Sequence, residues 1–531
     1  MKWRINLVFI LFISFSAVLL GRLFFIQVIH NDFYKALAQG LTFPATGIQA
    51  ERGEIFLKNG ESLAINKNFP LVFAVPPKVS DAEKTAQILS EILRLDKNFI
   101  LEKLKADSLY SLIKNKLTQE ETELIKNSKL AGIHLGEERL RYYPQESLAS
   151  QVVGFLGAQG SGQYGLEEHY DEILKGTGKG ADLTLTLDYN IQFTAEKLLE
   201  KAKENLNIED GQIIVIEPNS GKILTLANFP NFNPNKYQEY TLQKSDLEIF
   251  QNGATQKIFE PGSVFKPMTM AAALNEGKIT PQTIYEDPGE IKIGGYEIYN
   301  YEQRKYPGEI SMIEVLEKSI NTGAVFAEKQ LSHESFLQYI EKFGFFEPSG
   351  IDLPEIYSEN KEFKKGYEIN FATASFGQGI EMTPIQLARA YSVIANGGEL
   401  VRPYLVENGN VEDEPQQVIS QKTSSQLAAM LISVVENGFA KKARIPGYYI
   451  AGKTGTAQIS FSALGIKKPG YSEKTVQSFV GWLPAFNPQF LILVKLNDPE
   501  TKTAEYSALP IFHDLAEFII RQYQIPPDYE Q

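Results

Sequence analysis

The chain begins with a stretch whose pattern differs from everything after it. Lys2 and Arg4 precede an uncharged run from Ile5 to Gly21 rich in Leu, Ile, Val and Phe, and Arg22 closes it. As a helix this run rises roughly 26 Å, close to the thickness of a bilayer's hydrocarbon core. Arg22 can snorkel while Leu23 to Ile29 continue the helix. The pattern predicts a cytoplasmic tail at 1–4 and a single-pass transmembrane anchor helix over 5–29. The alternative is a cleaved signal peptide, which would need a small-x-small site after the apolar run; none stands there. Basic residues before the run put the N-terminus in the cytoplasm and the rest outside.

From Phe43 to about Asp182 the pattern is mixed. Leu71 to Val75 is a β-prone run, and a charged, helical block follows from Asp81 to about Leu130. There Asp81 suits an N-cap, and Ile88, Leu89, Ile92 and Leu93 fall at helical spacing. A second regime begins near Leu183. The runs Gln212 to Glu217 and Lys222 to Ala227 flank Pro218-Asn-Ser-Gly221, a hairpin signal. Val476 to Leu483 and Phe490 to Leu496 form another pair, and a helix is predicted from about Ile511 to Tyr523. Strands at both ends with helices between them predict an antiparallel sheet flanked by helices. The fold class expected is α+β and multidomain, with a pedestal over 30–182 and a second domain over 183–531.

Chemistry concentrates at three places in that second domain. Ser263 follows Glu260-Pro-Gly262 and opens the way to Met268–Leu274, which is apolar almost all round. A serine at the mouth of such a helix suits an N-cap. It equally suits a nucleophile, because free N–H groups and the positive helix end favour an oxyanion. Lys266 lies one turn on, and burying a lysine there without a use would be costly. Ser319-Ile-Asn321 follows a polar helix from Met312 to Lys318. Lys453-Thr454-Gly455-Thr456 lies on a predicted strand, where Gly455 signals either close approach to the backbone or a bulge. Ser-x-x-Lys alone says little: Ser111 to Lys114 and Ser358 to Lys361 fit it too, and both read as solvated helix or loop.

Composition narrows the function. The net charge of −13 argues against a nucleic-acid partner. The absence of cysteine removes thiol nucleophiles, disulfides and thiolate metal sites. The five histidines stand away from the three motifs, which disfavours a histidine-based triad. No metal or cofactor is called for.

Motif order, with 56 residues from Ser263 to Ser319, resembles class B (monofunctional) penicillin-binding proteins, the peptidoglycan DD-transpeptidases. Arg52-Gly-Glu-Ile55, Gly165-Leu-Glu167, Phe376-Gly-Gln-Gly379 and Ser478-Phe-Val-Gly481 extend the resemblance over nearly the whole chain. The last resembles the division-type branch more than the elongation-type branch. The resemblance implies that Ser263 attacks a stem peptide ending in D-Ala-D-Ala and that β-lactams acylate it. It implies Lys266 as base, Ser319 as proton relay and Lys453 as a charged group attracting the substrate carboxylate. Asn321, Thr454, Gly455 and Thr456 would bind substrate, and the N–H groups of Ser263 and Thr456 would form the oxyanion hole. Partners implied are a membrane glycan polymerase and other division or elongation proteins. A DD-carboxypeptidase, a serine β-lactamase and a membrane-anchored sensor or scaffold stay open as alternatives.

Overall fold

The computed structural model describes residues 2–25, 51–240, 244–407 and 414–529. The end of the expected anchor, from residue 26, and the start of the expected pedestal, from 30 to 50, lie outside the described residues. Two compact units emerge, and they interleave along the chain: one holds 1–52, 66–142 and 176–179, the other 53–65, 143–175 and 180–531.

The first unit contains helix α1 (Lys2–Phe24), whose apolar side chains from Leu7 to Phe24 are exposed wherever described. Among the described residues, no helix is long and apolar enough to cross a membrane; the side chains of Ile5 and Val8 fall outside that set. Strand β1 (Ser62–Ala74) contributes its second half to this unit, followed by α2 (Ala82–Leu93) and α3 (Lys97–Leu104). Next come β2 (Ser111–Lys114), α4 (Gln119–Ser128) and β3 (Ile133–Tyr142). Asp81 caps α2 through Lys84 N–H, and Leu89 and Leu93 point into a small core with Val72, Ile100 and Ile125. Ser111 to Lys114 is therefore neither solvated helix nor loop. It is a strand paired with β1, its Ser111 is buried and its Lys114 pairs with Glu121.

The second unit is built on one antiparallel sheet. Helix α5 (Tyr189–Leu206) precedes β4 (Asp210–Ile216) and β5 (Ile223–Phe229). A helical series follows: α6 (Lys266–Asn275), the hairpin β6 (Glu290–Ile293) and β7 (Tyr296–Tyr299), α7 (Met312–Glu317), α8 (Asn321–Lys329), α9 (Pro384–Ala395) and α10 (Gln421–Glu436). The chain returns as β8 (Ala451–Ser460), β9 (Tyr471–Leu483) and β10 (Phe490–Asn497), then α11 (Ala508–Tyr523). The strand order is β8-β9-β10-β4-β5, so the first strand of the unit pairs with the last. β4 and β10 are buried almost throughout, which explains their apolar stretches at 213–216 and 490–494: helices cover both faces. β8 is an edge strand, and that edge carries Lys453.

Candidate active site

The Ser263 segment is tightly fixed, and glycine at two points allows it. Gly262 has φ +62°, and its N–H donates to Gly377 O at 2.9 Å. A Cβ on Gly377 would stand 2.2 Å from Gly262 O, so the Phe376-Gly-Gln-Gly379 loop is the floor beneath the turn. Residues Gly262–Phe265 form a single 3₁₀ turn that passes into α6 at Lys266. Ser263 is thus not an N-cap. It sits inside the turn, and among residues 261–274 it alone is not fully buried. Tyr391 of α9 donates its hydroxyl to Val264 O at 2.6 Å. This contact was invisible to motif reading, although a tyrosine buried in a helix signals a hydroxyl in need of a partner.

Gly455 resolves as close approach and not as a bulge. The β8–β9 register runs unbroken through Gly455↔Ser478, and a Cβ at Gly455 would meet Ser478 Oγ at 2.7 Å and Val264 Cγ1 at 2.9 Å. The serine turn therefore lies directly on the edge strand.

Four of the anticipated side chains converge. Lys266 Nζ stands 2.9 Å from Ser263 Oγ, 2.6 Å from Ser319 O and 3.2 Å from Ser319 Oγ. Lys453 Nζ reaches Ser319 Oγ at 2.9 Å and Thr454 O at 3.1 Å. Ser319 Oγ is thus shared between the two lysine nitrogens, on a backbone held at φ +53° between α7 and α8. A non-glycine residue in that region is uncommon, and here it turns the serine toward both lysines.

The other expected residues are placed differently. Asn321 opens α8 and donates its side-chain amide to Tyr299 O at 2.8 Å. Thr454 and Thr456 alternate with Lys453 and Gly455 along the strand, so their side chains occupy its other face. The Thr456 hydroxyl accepts from Ala504 N–H at 3.2 Å. Among the described residues no hydrogen bond ties either threonine side chain to Ser263. The Ser358 site is a loop in which the serine donates to Glu381.

Electrostatics set the site apart. Lys266 is 0% exposed and Lys453 1%. Loss of water pushes Lys266 well below the usual lysine range, and the charge of Lys453 lowers it further. Burial alone brings Lys453 down to about 7. No carboxylate among the described residues offsets either charge. Burial thus favours the neutral amine at Lys266, and Lys453, expected to stay charged, is poised near neutrality.

Residues 211–517 match the penicillin-binding protein transpeptidase domain, and 47–209 the penicillin-binding protein dimerisation domain. The chain belongs to the class B penicillin-binding proteins. Among the relatives of this penicillin-binding protein is the stage V sporulation protein D of Bacillus subtilis, 32% identical over 94% of the chain and 82% of that protein. A probable peptidoglycan D,D-transpeptidase, PbpC of Pseudomonas aeruginosa, is 30% identical over 99% and 96%, and FtsI of Escherichia coli is 26% identical over 99% and 93%. The solved structure of penicillin-binding protein 3 from Mycobacterium tuberculosis, complexed with aztreonam, superposes with a TM-score of 0.70 at 25% identity, covering 91% of the chain and 98% of that one.

Proposed function

We propose that this penicillin-binding protein cross-links peptidoglycan through an ester on Ser263. Neutral Lys266 takes the Ser263 proton as Oγ attacks the penultimate D-alanine carbonyl of a stem peptide. The C–N bond breaks, and the proton passes through Ser319 to the departing D-alanine amine. An amine from a neighbouring strand then displaces Oγ, and the serine recovers its proton. The N–H groups of Ser263 and Thr456 serve as the oxyanion hole, one such donor being typically worth ~3 kcal/mol. Lys453 receives the terminal carboxylate, and Asn321 with Gly455 lines the peptide's path. Among the described residues β8 pairs with β9 alone, which supports binding by strand addition at its other edge. β-Lactams acylate the same oxygen.

The observation that carries this reading is a serine hydroxyl in hydrogen-bond contact with a fully buried lysine that has no carboxylate partner among the described residues. The uncharged run after Lys2 and Arg4 supports a membrane anchor, with the pedestal and transpeptidase domains outside the cell membrane. Ser478-Phe-Val-Gly481 and the FtsI relatives support action in septal wall synthesis beside a glycan polymerase. Labelling with a fluorescent penicillin tests the core of the proposal: Ser263→Ala should abolish it in folded protein. Undiminished labelling would remove Ser263 from the role.

A further inference from the structure

Ser319 and Asn321 lie on a turn whose strained backbone must be held by something outside the motif. Its N-terminal side is fastened to α7, where Ile320 N–H donates to Val315 O at 2.9 Å. Its C-terminal side runs through Thr322 into a buried carboxylate. Thr322 Oγ1 donates to Asp287 Oδ1 at 2.7 Å, and the same oxygen accepts from Tyr285 Oη and Gly289 N–H, each at 2.9 Å. Asp287 Oδ2 accepts from Asn300 Nδ2 and Tyr306 N–H, also at 2.9 Å each. Asn300 Oδ1 in turn accepts from Thr322 N–H at 3.1 Å.

Asp287 is 5% exposed and has five donors around it, but no cation. Burying a carboxylate without a cation is costly unless its lone pairs are filled, and here they are. Burial pushes its carboxyl up, and the hydrogen bonds from Tyr306, Thr322, Gly289 and Tyr285 more than offset that, so it stays ionised. The donors come from several separate stretches, and just one of them, Thr322, belongs to the catalytic turn. Beside this polar knot, Ile293 and Ile298 of the β6–β7 hairpin pack on Ala324 and Val325 of α8 and on Phe376. The hairpin is thus attached to α8 by a polar clamp and an apolar one, and its Tyr299 carbonyl holds Asn321.

We propose that Asp287 is a positioning residue for acyl transfer, holding the Ser319–Asn321 turn in register with the two lysines through Thr322 and Asn300. The proposal rests on the serine-ester reading above. It touches neither substrate nor the reacting atoms, so it acts through geometry. A shift of about 1 Å in such a turn can cost on the order of 100-fold in rate.

The test uses the full chain in detergent and the second-order rate constant of acylation by a fluorescent penicillin, with the acylated residue located by mass spectrometry. Asp287→Asn replaces one acceptor oxygen with a donor that opposes Tyr306 N–H or Thr322, and should slow acylation by on the order of 100-fold. Thr322→Val removes only the hydroxyl link and should slow it about 10-fold; it keeps the proposal testable if Asp287→Asn fails to fold. The decisive readout is non-additivity. In a Ser319→Ala background, either substitution should lower the residual rate by no more than about threefold, because the group it positions is gone. Rates near wild type in both single variants would overturn the positioning role, as would a full, additive loss in the Ser319→Ala background. Wild-type protein acylated somewhere other than Ser263 would overturn the serine-ester reading itself, a separate result.

Discussion

Two buried lysines in the same sheet, Lys453 on β8 and Lys495 on β10, show what burial does with and without a counter-charge. Each is 1% exposed. Lys495 stands 2.9 Å from Gln212 Oε1, 2.9 Å from Asn497 Oδ1 and 3.7 Å from Asp210 Oδ1, and Asp210 also pairs with Lys257 at 3.0 Å. Burial still lowers Lys495, but Asp210 pulls it back, and the two lysines hold Asp210 down at about 2 despite its own burial. Lys453 has only a hydroxyl and a carbonyl at its nitrogen, with Lys266 as the other cation at Ser319. The compensated lysine is a closed structural knot. The uncompensated one retains a proton it can give up near neutral pH, which is a property of chemical use.

The largest expected effect sets Lys266, the other lysine without a counter-charge, against Lys495. Lys266→Met should slow acylation by a fluorescent penicillin on the order of 1,000-fold or more, because a general base is lost. Lys495→Met should leave the acylation rate within about threefold and instead cost about 1–3 kcal/mol in denaturant unfolding, since Asp210 loses a partner. Equal rate losses in both variants would erase the distinction.

A second contrast is in pH. Acylation requires neutral Lys266, so its rate should fall tenfold per unit on the acid side of that group's lowered value. Lys453→Met removes a neighbouring positive charge, so Lys266 should hold its proton more tightly and the acid limb should move to higher pH. Stability rises with pH at both sites, but in separate windows. Between about 7 and about 10.4 the unfolded chain keeps the Lys453 proton that the folded chain releases, so stability rises with pH across that window. Asp210 contributes stability that is present above about 3.9 and lost as pH falls through about 2. Lys453→Met should therefore stabilise the fold at neutral pH, by about 1–2 kcal/mol, while impairing acylation. An acid limb that does not move would disconnect the two lysines.

The smallest effect probes the contact between edge strand and serine turn. Gly455→Ala puts a methyl group against Val264 and Ser478, costing about 1–3 kcal/mol as overpacking, and should slow acylation about tenfold by moving the turn. Stopped-flow acylation indistinguishable from wild type would mean that the turn yields without loss.

Local signals carried a good deal of this. Asp81 as a cap, the hairpin at Pro218–Gly221 and the apolar α6 were legible because caps, turns and periodicity act over a few residues. Gly455 was legible as a warning, and the structure supplied its two neighbours. Ser111 misled, since a four-residue β-strand inside a helical block is set by its pairing partner and not by its own pattern. The N-cap weighed against the nucleophile at Ser263 is not what the chain forms there, because the serine lies inside a 3₁₀ turn. Asp287 was silent: an isolated aspartate in a turn looks like any other until its five donors assemble.

The sequence by itself determined which reactive groups exist, their order and spacing, and that a serine and a lysine sit one turn apart. Those are properties of chain chemistry and helical period. Tertiary structure alone decided that Ser319 lies between both lysines, that among the described residues neither lysine has a carboxylate, and that segments 53–65 and 143–175 join the catalytic unit. Distances between residues far apart in sequence, and the loss of water that sets a lysine's affinity for its proton, exist only once the chain has packed.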